Sequence, residues 1–193
     1  MINRKQLLSV GIVVSLSIGL WHFGSVTWIY GKAHAATFLI NDAWQKTLAN
    51  KKINKPWSWA DTWPVAELSI PKIGLKEIVL SGDSGAVLAF GPGLSGAGAR
   101  LDSGNVKLIS AHRDTHFNKL KNIAIDDEIY VQTPDGEKRY KVNKVKIVDS
   151  RSYTINSAEQ AYDLVLATCY PFNTITTGGY ERFLVQARQL GGR

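Results

Sequence analysis

Cysteine is almost absent from this chain of 193 residues. The single instance, Cys169, has no intramolecular partner, so no disulfide framework staples the fold and the thiol stays available for chemistry even in an oxidising compartment. Acidic side chains are also short, 16 against 23 lysines and arginines, for a net charge of +7. The lysines are dispersed along Lys119–Lys146 and no arginine-rich arm exists, so no nucleic-acid partner is expected; the charge suits an anionic membrane or envelope polymer. The glycine-rich stretch Phe90–Gly98 lacks the Gly-Lys-Ser/Thr ending of a phosphate cradle and reads as a loop. Asp126, Asp127 and Glu128 lack the spacing of a calcium loop and read as a solvated turn, and no internal repeat is found. No cofactor is expected.

What is present is enough apolar sequence, 45%, for one ordinary core and too little length for two. A basic flank, Met1–Lys5, precedes a predominantly apolar stretch from Leu7 to Tyr30 with Trp21, Trp28 and Tyr30 toward its far end. About 24 helical residues at about 1.5 Å each suffice for a hydrocarbon core about 30 Å thick. The flank predicts a cytoplasmic N-terminus, with everything after the span on the extracytoplasmic side of the cytoplasmic (inner) membrane. Ala33-His34-Ala35 has the small-x-small form of a cleavage site, but the apolar stretch outruns a signal-peptide core and the site lies late, so a retained anchor over residues 1–34 is the expectation. Residues 35–63 follow as a juxtamembrane helix over Ala35–Ala49, broken at Lys51–Pro56, then a strap in which Trp57, Trp59 and Trp63 pack on the domain.

Residues 64–193 form the remaining domain. Short strands punctuated by Gly and Pro are expected at Val65–Ile70, Glu77–Leu80, Asn105–Ala111, Glu128–Gln132, Lys138–Val148, Asp163–Cys169 and Arg182–Ala187, with a hairpin turn at Pro134-Asp135-Gly136. Regularly spaced short strands predict a mostly β fold, a barrel or sandwich. His116–Leu120 is expected to make one helical or 3₁₀ turn.

Cys169 closes the apolar run Asp163–Cys169, and Pro171 cannot donate to a sheet ladder, so strand pairing should stop where the thiol sits. Arg182 opens the next run, and a cation beside a thiol favours thiolate or holds an oxyanion. His112 ends the run Asn105–Ala111 and is the candidate acid/base. Thr168 and Asp114 are candidate supports, the second by orienting His112. Arg113 reads as structural, His116 as an alternative base or a turn residue, and His22 and His34 lie outside the chemistry.

Four pieces in this order resemble the sortases, membrane-anchored cysteine transpeptidases: Leu68-Ser-Ile-Pro-Lys-Ile-Gly-Leu75, Leu88-Ala-Phe-Gly-Pro-Gly93, His112-Arg-Asp-Thr-His-Phe117, and Leu166-Ala-Thr-Cys169 followed by Arg182. The likeness runs from about Pro64 to Ala187. Thr168–Phe172 and Gly178-Gly179 are most similar to the sortase group of Gram-negative bacteria. One departure is Ala111, where the family usually has Gly before the histidine. The resemblance implies a closed eight-stranded β-barrel with short helices and a catalytic set of Cys169, His112 and Arg182. It further implies a Leu-Pro-x-Thr-Gly sorting signal near the C-terminus of a secreted protein, cleaved through a Cys169 thioester, with the acyl group passed to an amine acceptor.

Two rival readings come from other classes. His112, Asp114, His116 and Cys169 are all possible zinc ligands for a hydrolase, although the sequence between the histidines is not that of a zinc protease. A membrane-tethered, non-enzymatic β-domain that binds an envelope partner would instead bury Cys169 as a small apolar side chain. Cell-wall cross-linking cysteine transpeptidases hold His and Cys close together in sequence, whereas 57 positions separate them here.

Overall fold

The computed structural model describes residues 3–96, 106–155, 162–174 and 179–191, and in the first helix it leaves side chains 5–10, 25–26 and 28–30 undescribed. Asn105, where one expected strand begins, the end of the glycine-rich stretch, and Gly178 lie outside the described residues.

The chain divides into two compact units, Met1–Phe38 and Leu39–Arg193. The first is the leading part of α1 (Arg4–Asn50). The expected span Leu7–Tyr30 is helical, and Ile12, Leu16, Leu20, Trp21 and Phe23 stand exposed on it. Gly11, Gly19, Gly24 and His22 interrupt its apolar character, and among the described residues no helix is long and apolar enough to cross a membrane.

In the second unit α1 continues through Ile40, Ala43, Trp44 and Thr47, four buried residues at helical spacing. The helix ends because Lys51 turns left-handed (φ 55°) while its N–H still reaches Thr47 O at 2.9 Å, and Asn50 then accepts from Lys52 N. Of the three strap tryptophans, Trp57 packs as expected, against Phe90 at 5.3 Å, whereas Trp59 is exposed.

The strands are β1 (Pro64–Ile70), β2 (Leu75–Ser81), β3 (Gly93–Leu94), β4 (Lys107–Ser110), β5 (Glu128–Thr133), β6 (Gly136–Asp149), β7 (Leu164–Cys169) and β8 (Glu181–Gln189). Among the described residues they close into a barrel in the order β1-β2-β3-β4-β7-β8-β6-β5. Period-two alternation sends Ala66, Leu68, Ile70, Val79, Ile109, Ile129, Val131, Tyr140, Val142, Leu166 and Val185 inward to one core. Thr133 pairs with Gly136 across the Pro134-Asp135 turn, where Gly136 takes φ 135°. A 3₁₀ turn covers Asn118–Asn122, two residues later than expected.

The glycine-rich stretch is not only a loop, which corrects the sequence reading. Gly93 and Leu94 pair parallel with Leu80 and Ser81 and antiparallel with Ser110 and Ile109, and so bridge β2 to β4. A Cβ on Gly93 would meet Gly82 O at 2.2 Å, so the bridge forms because glycine stands there.

A second feature fixes the site. β4 pairs parallel with β7, Ser110 opposite Ala167, although β5 and β6 intervene in sequence. Parallel neighbours finish at the same rim of a barrel, so the residues just past β4 and at the end of β7 are brought together.

Candidate active site

Cys169 is the last residue of β7 and is half-buried. Antiparallel pairing places Arg182, near the start of β8, directly opposite it. Facing residues on adjacent strands project from the same side of a sheet with Cβ atoms about 5 Å apart. On the other flank, Ala111 N donates to Ala167 O at 3.2 Å, so the β4–β7 ladder runs one residue past β4 and delivers His112 to the same rim. Alternation sets Leu108, Ser110 and His112 on one face with Ala167 and Cys169 on β7 and Arg182 and Leu184 on β8. That face looks away from the barrel core, into a cavity of about 380 Å³ that all of these residues line, together with Val148, Tyr153 and Ile155.

Each of the three residues is held by its own support. The buried Thr168 hydroxyl donates to Ala111 O at 2.8 Å and so fixes the backbone entering His112. Arg182 donates from Nη1 to Gly179 O at 2.7 Å and Glu181 O at 2.9 Å; its Nε and Nη2 have no hydrogen-bond partner among the described residues. One side of the guanidinium is thus fixed and the other remains for a developing oxyanion. Tyr170 N donates to Glu181 O at 3.1 Å, so the first N–H after Cys169 is already spent. Tyr170, Phe172 and Phe183 pack against one another, with ring centroids 5.1–6.5 Å apart, under the loop that follows Cys169.

The Sortase domain family model matches residues 68–190, well over half of the chain. The chain belongs to the sortase family. Sortase D of Bacillus subtilis (strain 168) is 27% identical over 124 residues, which are 64% of this chain and 62% of that protein, so the chain spans less than two thirds of that relative. Among solved structures, a Clostridium perfringens Sortase D5 transpeptidase aligns with TM-score 0.64 at 17% identity, over 82% of this chain and 99% of that one. Sortase A from Corynebacterium diphtheriae aligns with TM-score 0.59 at 24% identity, over 70% of this chain and 64% of that one. At these identities the two structures support the fold. A pilus-related Sortase C of Group B Streptococcus, 27% identical, aligns with TM-score 0.53 over 66% of this chain and 67% of that one. The family is one of transpeptidases, and the barrel described above is its fold.

Near this cavity, two sequence candidates take other duties. Asp114 does not place its carboxylate on His112: Oδ1 and Oδ2 accept from Arg113 Nε at 2.9 Å and Nη2 at 3.1 Å, a fork-to-fork pair that holds the Asp114 carboxyl below its ordinary range. His112 adds a smaller charge effect in the same direction. His116 Nδ1 lies 2.9 Å from Glu77 Oε2 on β2 and ties the turn to the barrel, and His116 is not among the described residues that line the cavity. Among the described residues no three of His, Cys, Asp and Glu gather as metal ligands, and the Asp114 carboxylate that the zinc reading needs is taken by Arg113.

Arg113 carries more than the structural part expected of it. Buried beside His112, it donates from Nη1 to Pro171 O at 2.6 Å and from Nη2 to Thr174 O at 3.2 Å, lashing the loop after Cys169 to the end of β4. The Asp114 hydrogen bond raises the Arg113 pKa most, burial opposes it, and the neighbouring Asp114 charge adds to the rise. Nothing in the sequence signals a contact between positions 113 and 171.

The groove wall opposite β4 is pinned in a similar way. Arg151 bonds Asp149 through its guanidinium and then its backbone N–H, holding that carboxyl down to about 2, and the same guanidinium lies 4.1 Å from the Tyr180 ring. Lys146 donates to the Tyr153 hydroxyl and sits over its ring, fixing an aromatic side chain at the edge of the cavity.

Proposed function

We propose that this chain is a cysteine transpeptidase that cleaves a Leu-Pro-x-Thr-Gly-like sorting signal of a secreted protein and passes the acyl group to an amine. The observation that carries the reading is the pairing of Cys169 with Arg182 across β7 and β8, with His112 delivered to the same rim by the parallel β4. The Cys169 thiolate attacks the scissile carbonyl; the resulting oxyanion is met by the free side of Arg182; His112 protonates the leaving amine, and the thioester remains. An incoming amine then attacks, its proton passes to His112, and the thiolate leaves. Leu108, Val148, Ala167 and Leu184 give the groove an apolar floor suited to the Leu and Pro of the signal.

The same proposal places the catalytic unit on the extracytoplasmic side of the inner membrane, anchored through residues 1–34 with residues 35–63 as its juxtamembrane connection. Support comes from the basic flank Arg4-Lys5 and the exposed apolar side chains along the helix that follows it. Thr168–Phe172 and Gly178-Gly179 favour the Gram-negative sortase group. In the test, the full-length protein is incubated with a Leu-Pro-x-Thr-Gly peptide and a primary amine. The expected product, identified by mass, is the peptide cut after Thr and joined to the amine. A peptide left intact at every enzyme concentration would contradict the reading.

A further inference from the structure

We infer that Asp83 is the binding group for the acceptor amine in its ammonium form, a role that rests on the transpeptidase reading above. The cavity that holds Cys169, His112 and Arg182 is lined by one carboxylate among the described residues, and it is Asp83. Its position follows from the close approach at Gly93. Gly93 is opposite Ser110, so a side chain there would share the outward face with Ser110, Ala167 and Cys169. In its place lies the chain itself: Asp83 Cα is 3.0 Å from where the Gly93 Cβ would be. Across this face the order is therefore Asp83 over β3, His112 past β4, Cys169 on β7 and Arg182 on β8. The guanidinium flanks the thiol on one side, and the carboxylate flanks the histidine on the other.

Local structure leaves Asp83 free for this role. The one-turn helix α2 (Gly85–Leu88) is capped by Ser84, whose Oγ accepts from Val87 N, and not by Asp83. Ser95 Oγ donates to Asp83 Oδ2 at 2.5 Å, which fixes the carboxylate and leaves Oδ1 without a described partner. An amine acceptor arrives at neutral pH as an ammonium and must lose a proton before it can attack. A carboxylate on the His112 side of the thioester holds that ammonium where His112 can take the proton, away from the cation that holds the oxyanion. Once His112 holds that first proton, the amine nitrogen bonds to the thioester carbon, the carbon–sulfur bond breaks with its electron pair on the Cys169 sulfur, and the second proton of the nitrogen passes to that departing thiolate, leaving a neutral amide, the Cys169 thiol and a protonated His112.

The test measures transfer from a sorting-signal peptide to two nucleophiles, a primary alkylamine and hydroxylamine, which is uncharged at neutral pH. Asp83→Asn is expected to raise the half-saturating alkylamine concentration about fivefold, the scale of a partly screened ion pair. The hydroxylamine curve of the same variant should not follow, Asp83→Glu should recover most of the alkylamine affinity, and added salt should narrow the gap between wild type and Asp83→Asn. No shift in the alkylamine curve, or an equal shift with both nucleophiles, overturns the role of Asp83. Thioester formation is read separately by mass in every sample. Its absence from the wild type would remove the transpeptidase reading, and this inference with it, whereas its presence with unshifted amine curves removes the inference alone.

Discussion

Arg182→Ala lowers acyl transfer by about 10²- to 10³-fold, the scale set by losing one preorganised oxyanion donor. The reason is geometric. Arg182 is the cross-strand partner of Cys169, and two carbonyls, Gly179 O and Glu181 O, fix one guanidinium nitrogen so that the other donors are already aimed when charge develops. Arg182→Lys keeps the charge but loses the planar fork, so it recovers only part of the rate. Because Arg182 is half-exposed at the barrel rim, the substitution should leave the unfolding midpoint nearly unchanged. Single-turnover thioester formation, measured beside denaturant unfolding, separates the two effects. Near-normal turnover in Arg182→Ala would mean that the oxyanion is held elsewhere.

Gly93→Ala destabilises the fold by about 3 kcal/mol, at the upper end of what overpacking costs. The new Cβ would sit 2.2 Å from Gly82 O and 3.0 Å from Asp83 Cα. Both are backbone atoms, so no side-chain rotation relieves the clash, and β3 must move off β2 or β4. Since β3 is the bridge between those strands, the barrel opens where it closes. Gly85→Ala is the control: a Cβ there meets nothing within 4 Å, and alanine is the better helix former. Denaturant midpoints of the two variants should differ widely. Equal midpoints would show that the β2 end does not cross Gly93 as described.

The parts of this account that rest on residue type were legible in the sequence. A lone thiol before Tyr170-Pro171, a histidine after an apolar run and an arginine opening the next run stand out as candidates through the chemistry they can perform, and the structure places all three on one cavity. Alternation likewise located seven strands, with errors only at the ends: Glu77–Leu80 proves to be Leu75–Ser81, and Arg182–Ala187 proves to be Glu181–Gln189. The eighth strand was not legible because two residues in a glycine-rich stretch carry no periodicity, and because its reason for existing is a contact with Gly82. Partner choice was hidden for a related reason. Asp114 could equally face His112 or Arg113 from its position in the chain, and the buried guanidinium reaching Pro171 O decides the matter. The parallel pairing of β4 with β7 is a long-range choice, and without it a separation of 57 residues says nothing about whether His112 and Cys169 meet.

The central claim is that Cys169 carries the acyl group. The most direct measurement is intact-protein mass spectrometry after acid quenching of the full-length protein mixed with a Leu-Pro-x-Thr-Gly peptide and no amine. The account predicts a mass gain equal to the peptide up to Thr, located to Cys169 on digestion, lost on adding amine and absent from Cys169→Ala. A cleaved peptide with no adduct at any quench time, or cleavage that survives Cys169→Ala, would contradict it.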